Sequence, residues 1–374
     1  MNNYFATVAR GLEEIAAAEL AELGAQDIST SFTGVSFTGN KELLYRVNLW
    51  SRIVFRVLVP IAKVKCFNAQ QLYRSVQQVD WSEYLDPEMT LAINCTGKNK
   101  QLNHSHFTAL QIKKAIVDQQ QTQFRRRSDV DPKNPDLLVN AHIDNNRCTL
   151  SLDSSGTRLH RRGYRPAMGL APLKESLAAA IIRLSEWTPD LAFYDPLCGS
   201  GTLPIEAALM GLNIAPGLYR ESFGFQNWLD YDPSLWDGLV KEAKQQRQSD
   251  LPIPIWGSDR DSEIVQQAQA NAFNSAITDH IKFMQQDLAQ ATPPADKGII
   301  ICNPPYGERL GNISELEELY KLLGDTFKQR FTGWTAYILT GSKHLSKQVG
   351  LRTAKRIPIY NGSIPCTLLK YELY

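Results

Sequence analysis

Apolar and polar positions along the chain follow two different rhythms, one in each half. Near the start, Tyr4-Phe5-Ala6-Thr7-Val8 reads as a strand. Gly11 then opens an amphipathic helix running to Leu23, with Gly24 as its stop. Strand-like runs follow at 33–38, 52–59 and 90–95, and helical spacing at 41–48, 68–77 and 106–126. Two more strands, 137–143 and 147–152, flank Asp144-Asn145-Asn146, a hairpin turn. Residues 1–155 therefore predict a mixed α+β region in two small units. Ser154 to Pro166 is polar, basic and glycine-containing, and reads as a linker.

The second half alternates. A helix from Pro172 to Trp187 precedes strand 191–195, helix 203–210, strand 253–258, helix 262–273, strands 281–285 and 298–302, helix 315–330 and strand 335–339. This rhythm predicts an α/β fold with a doubly wound parallel sheet. The tail departs from it. Strands 354–359 and 366–373 flank Asn361-Gly362 without a helix, so they should pair as an antiparallel hairpin at one sheet edge. Residues 211–250, rich in Trp, Tyr and Asp, interrupt the alternation and are expected to cap the substrate or to cover a sheet edge.

Composition narrows the class. The 374 residues are 43% hydrophobic and 21% charged, ordinary for a soluble globular protein with two or three domains. No apolar run reaches the ~20 residues of a membrane span, and Met1-Asn2-Asn3-Tyr4 does not open a signal peptide. Cys66, Cys95, Cys148, Cys198, Cys302 and Cys366 are widely spaced, which predicts reduced thiols in a cytoplasmic protein and no zinc or other metal site. The net charge of +1 hides an asymmetry: residues 1–165 carry 21 Lys/Arg against 16 Asp/Glu, and the remainder 19 against 23. The basic excess gathers at Arg125, Arg126 and Arg127 and at Arg158, Arg161, Arg162 and Arg165, which points to a polyanionic partner.

Asn303-Pro304-Pro305-Tyr306 closes the apolar run 298–302 and carries the sharpest chemistry. An exocyclic base amine has its lone pair delocalised into the ring. The Asn303 side-chain oxygen and the Pro304 carbonyl can each accept one of its N–H bonds, aiming the lone pair at a donor methyl. Pro305 stiffens the turn, and Tyr306 offers a ring beside a flat base. The donor's residues lie upstream. Asp195-Pro-Leu-Cys198-Gly199-Ser200-Gly201-Thr202 joins a strand to a helix, and its small residues admit a ligand backbone-close. Pro204 stands where a dinucleotide fingerprint needs its third glycine. Asp195 can accept from an amine, Asp259 from ribose hydroxyls and Asp287 from the adenine amine, while Asp261 is placed to start a helix. Together these predict a site for S-adenosylmethionine (SAM). Cys198 and Cys302 are read as inert packing thiols.

The strings Asp-Pro-Leu-Cys-Gly-Ser-Gly-Thr and Asn-Pro-Pro-Tyr-Gly-Glu-Arg-Leu-Gly resemble those of class I methyltransferases with an N-terminal THUMP domain, the RlmL type above all. Gly11-Leu12-Glu13, Leu159 to Arg165 and Ala171 to Glu175 extend the resemblance over essentially the whole chain. It implies a ferredoxin-like unit over 1–60, an RNA-gripping THUMP domain over 61–155, a linker over 156–170 and a SAM-dependent methyltransferase domain over 171–374. It also implies methylation of the N2 amine of a guanosine in 23S ribosomal RNA. The residues alone leave open tRNA guanine, adenine N6, a protein glutamine, or an RNA-binding assembly protein with a vestigial SAM pocket. At this length a second methyltransferase domain, as in fused relatives, is not expected. Glu308 and Arg309 lie just past the tetrapeptide and read as a surface pair.

Overall fold

The computed structural model describes residues 1–165, 173–306 and 312–374. Pro166, Ala171, Pro172, Glu308 and Arg309 lie outside the described residues. The N-terminal half holds β1 (Asn2–Thr7), α1 (Glu13–Glu22), β2 (Gln26–Ser31), β3 (Gly34–Gly39), α2 (Lys41–Trp50), β4 (Arg56–Lys65), α3 (Ala69–Val76), β5 (Leu91–Lys98), α4 (Ser105–Phe124), β6 (Leu137–Asp144) and β7 (Arg147–Asp153). All seven strands form one sheet in the order β2-β3-β1-β4-β7-β6-β5. The two small units are thus joined through β4, which pairs with β1 at Leu58 and with β7 from Leu58 to Lys65.

The C-terminal half holds α5 (Glu175–Leu184), β8 (Ala192–Asp195), α6 (Thr202–Gly211), α7 (Pro233–Gln245), β9 (Ile255–Asp259), α8 (Ser262–Asn274), β10 (Ile281–Gln285), β11 (Gly298–Cys302), α9 (Ile313–Arg330), β12 (Thr335–Thr340), α10 (Lys343–Gln348), β13 (Lys355–Asn361) and β14 (Ile364–Glu372). The sheet runs β10-β9-β8-β11-β12-β14-β13, parallel from β10 to β12, with β14 antiparallel to β12 and the β13–β14 hairpin at the edge. Continuous apolar runs make its centre: every residue of β8 and β11 is buried. The strand succession reverses direction between β8 and β11, the crevice where open α/β sheets take ligands.

Several elements differ from the sequence expectation. β2 is almost wholly exposed and polar, so periodicity gives no sign of it. The expected strand at 52–59 begins only at Arg56, because Arg52, Ile53 and Val54 are drawn inward by Glu19, whose carboxylate accepts from the Arg52 and Ile53 amides and the Ser51 hydroxyl. The helix placed at 172–187 spans Glu175–Leu184.

The 211–250 insertion packs against α2, and its Phe223, Gly224 and Asn227 also line a cavity with Arg158 and Arg161. Tyr45 stacks on Phe225 at 4.2 Å and meets Trp236 edge-on, Lys41 pairs with Asp230 at 2.8 Å, and Asp232 caps α7 through the Leu235 amide. One apolar core runs through the junction, from Leu12, Ala16 and Leu20 of the N-terminal half to Leu177 and Ile181 of α5.

Candidate functional site

The strand register sets the candidate residues side by side. Asp195 lies opposite Gly257 across β8–β9, and Asp259 opposite Gln285 across β9–β10. On the other side Ile300 pairs with Tyr194, so Asn303 leaves β11 where Asp195 leaves β8. Asp287, Asp259, Asp195 and Asn303 therefore follow one another along the C-terminal edge of four adjacent strands.

The loop after β8 is held by backbone and side-chain bonds. The Cys198 amide donates to the Ser258 carbonyl at 2.9 Å, and the Gly201 amide to the Cys198 carbonyl at 2.9 Å. The Gly199 amide donates to Asp259 Oδ2 at 3.1 Å. Gly201, at φ +83°, caps α6, and a Cβ there would sit 2.8 Å from the Phe283 ring. Gly199, at φ +55°, faces open space. Ser200 is fixed through its carbonyl, which accepts from Asn271 Nδ2 at 3.0 Å, and Thr202 begins α6, buried. Asn271 and Phe283 carry no motif signal and were not foreseen.

Asp195 is 2% exposed, and its Oδ1 accepts from the Leu197 amide at 3.1 Å. Burial, reinforced by the Asp259 charge, pushes its carboxyl well above the usual range. A cationic amine at this position would supply the missing compensation. Asp259 also accepts from the Asp261 amide, Asp261 caps α8, and the exposed Asp287 accepts from the Ala289 amide. Burial raises the Cys198 and Cys302 thiols far above reactivity.

Asn303 Oδ1 is buried and has no hydrogen-bond partner among the described residues. A buried acceptor left unpaired costs about 1–3 kcal/mol, so an incoming N–H donor is strongly favoured there. Pro304 is buried and Pro305 half-buried beside it. Tyr306 is pinned: its hydroxyl accepts from Asn361 Nδ2 at 2.9 Å and from the Cys366 thiol, and its ring lies over Gly341, where a Cβ would meet it at 2.8 Å.

The basic residues separate into two sets. Arg125, Arg126 and Arg127 are exposed beyond α4, with Arg126 paired to Glu88. Arg158 and Arg161 are exposed and line a cavity of about 510 Å³ with Lys133 and Asn227. The unforeseen Arg220 organises that loop, donating to the carbonyls of Ser155, Thr157, Arg158 and Arg161.

Arg162 and Arg165 stand apart from these exposed arginines. Arg162 is 1% exposed, donates to the Leu159 and Arg52 carbonyls, and faces Glu206. The Arg165 side chain is buried against Glu175 at 3.3 Å and the Leu173 carbonyl at 3.1 Å. Neither guanidinium can reach a phosphate without abandoning a buried carboxylate.

Among the described residues no helix is long and apolar enough to cross a membrane. The chain matches three family models: the RlmL ferredoxin-like domain over residues 3–58, the THUMP domain over 66–153, and the RMKL-like methyltransferase domain over 162–370. It is 57% identical over 371 residues to slr0064 of Synechocystis sp., provisionally named an RNA methyltransferase, covering 99% of this chain and 97% of that one. It is 44% identical to the ribosomal RNA large subunit methyltransferase K/L of Syntrophotalea carbinolica, over 99% of this chain but 53% of that protein. The chain thus spans about half the length of the K/L relatives. The solved structure of SMU.472, described as a methyltransferase complexed with SAH, superposes with a TM-score of 0.89 at 32% identity, covering 100% of this chain and 98% of the other. The chain belongs to the RMKL-like methyltransferase family, with RlmL ferredoxin-like and THUMP domains ahead of the methyltransferase domain.

Proposed function

We propose that this protein transfers a methyl group from SAM to the exocyclic N2 amine of a guanosine in RNA, the RNA being 23S ribosomal RNA. The observation that carries the reading is the buried, unpartnered Asn303 Oδ1 beside the Asp195 strand end. SAM supplies an electrophilic methyl on a sulfonium. Asp195 would hold its amino group, the Gly199–Thr202 turn its carboxylate, Asp259 its ribose and Asp287 its adenine amine, with Cys198 packing beneath. Asn303 and the Pro304 carbonyl each accept one N–H of the guanine amine, and Pro305 and Tyr306 keep that turn from moving. The nitrogen lone pair forms the new C–N bond as the C–S bond breaks. The extra proton leaves for solvent, so no general base is assigned. Arg125, Arg126, Arg127, Arg158 and Arg161 would meet phosphates, fixing register without reading sequence.

The division into a ferredoxin-like unit (1–60), THUMP domain (61–155), linker (156–170) and catalytic domain (171–374) is part of this proposal. The three family matches support it. The names of the K/L relatives favour ribosomal RNA over tRNA. The test is nucleoside mapping of total RNA from a strain lacking the protein, followed by methylation of that RNA in vitro. A single missing N2-methylguanosine in large-subunit RNA, restored by protein and SAM, is expected. A lost mark on tRNA or on adenine would replace the substrate, and no lost mark would end the proposal.

A further inference from the structure

The helices of the N-terminal half all pack on one face of its sheet, as the cores around Tyr4, Ala6 and Phe37 and around Val139, Cys148 and Leu150 show. The opposite face carries a cavity of about 650 Å³, within the range of about 300–1,000 Å³ typical of ligand pockets. Strand register lays two rows of short polar side chains across its floor. Asn94, Asn140 and Ser151 are direct cross-strand neighbours, as are Thr96, His142 and Thr149. Asn140 is 7% and Ser151 5% exposed, and both side chains line the cavity, where their polar groups are available to a ligand.

Three phenylalanines flank the floor: Phe5, Phe55 and Phe32, the last 76% exposed. Phe5 lies flat on the sheet because residue 34 is glycine; a Cβ there would sit 2.0 Å from its ring. Among the described residues no carboxylate lines this cavity or the neighbouring basic one, and Arg56 and Arg158 line both, so the two adjoin. At the other end the Arg10 guanidinium bridges the Phe32 ring (5.5 Å) and the Tyr360 ring (4.4 Å). Asn361, next after Tyr360, anchors Tyr306 of the candidate acceptor turn.

Resting on the RNA reading above, we propose that this sheet face is a platform for unpaired nucleobases of the substrate RNA. Bases stack on the Phe5, Phe32 and Phe55 rings and present their edges to Asn94, Asn140 and His142. The phosphates run towards Arg158, Arg161 and Lys133. The occupant is single-stranded RNA for two reasons. The flanking charge is basic, without carboxylates among the described lining residues, and aromatic faces bind bases only when those are unstacked. The platform thus adds a base-reading contact to arginines that read only the backbone.

The test is fluorescence anisotropy on the full chain, with a labelled single-stranded RNA of about 12 nucleotides and the same strand annealed to its complement. The variants are F32A, N94A and R158A, all at exposed positions. F32A is expected to weaken single-strand binding about 5-fold or more with an unchanged salt slope, and N94A to weaken it in the same sense, both leaving duplex binding as it was. R158A is expected to weaken both RNAs and lower the salt slope by about one. If F32A and N94A bind like the unaltered protein while salt-sensitive RNA affinity persists, the platform is wrong and the RNA reading survives. Absence of salt-sensitive affinity for either RNA in the unaltered protein overturns both.

Discussion

At the residue scale the site is defined by two side chains that the fold leaves uncompensated. Asn303 offers a buried oxygen without a donor, and Asp195 a buried carboxyl whose charge is disfavoured. Asn303→Ala should lower turnover by at least about 100-fold, the usual scale for removing a group aimed at the reacting centre. SAM affinity should stay within a few-fold, because in the proposed mechanism the oxygen serves the acceptor. Near-normal single-turnover rates would refute that role.

Asp195 yields a pH prediction. Its folded pKa is raised, so its neutral form is the one the free fold favours. Its contribution to stability is complete below the unfolded value and is lost as pH rises through the folded one. A bound ammonium reverses the preference, so SAM binding should release a proton on the acid side and tighten as pH rises. Calorimetry in buffers of differing ionisation enthalpy would detect it, and Asp195→Asn should remove both the proton release and the slope. Both side chains were legible as residue types at strand ends, and so was the helix-capping role of Asp261. The burial of Arg162 and Arg165 was not: a linker arginine and a buried one look identical until their partners, Glu206 and Glu175, are placed.

At the element scale the turn between β8 and α6 works because two glycines do different jobs. Gly201 bears on Phe283 and Ala268, whereas Gly199 faces open space where the ligand would lie. Gly201→Ala should therefore be a stability defect of about 1–3 kcal/mol, from a left-handed backbone plus a clash with the sheet. Gly199→Ala shares only the backbone cost, and should show mainly as lost SAM affinity in calorimetry. Equal losses of stability with unchanged affinity in both would remove Gly199 from the ligand's path.

The alternating half of the chain was readable because buried parallel strands such as Gly298–Cys302 are apolar without interruption. β2 was not readable, since an edge strand facing water on most positions carries no period-two signal. The insertion's helix α7 was missed for another reason. Its Asp232 cap and leading Pro233 are plain start signals, but its apolar residues answer to Tyr45 and the N-terminal half rather than to the sheet beside it.

At the scale of the whole molecule, a buried polar network ties the two halves together. Arg162, ahead of α5, faces Glu206 of α6, which also accepts from the Tyr164 hydroxyl at 3.1 Å. Arg52 donates to the Leu209 and Ile214 carbonyls across the junction, and Glu19 holds the Arg52 backbone. Such a network specifies geometry more than it adds stability, since desolvation offsets much of the attraction. The geometry matters here because the sheet-face cavity and the Asn303 turn lie on different halves, and a substrate touching both demands a fixed offset between them. Arg162→Met should thus destabilise by about 3–5 kcal/mol, chiefly by stranding Glu206. Adding Glu206→Leu should recover a large part of that loss, because the orphaned charge is removed with it. The double variant, refolded with a near-native melting point, is the decisive protein. If Arg162 is a clamp, it should bind RNA with an unchanged salt slope but methylate poorly. A slope lowered by about one would instead return Arg162 to the phosphate-binding set.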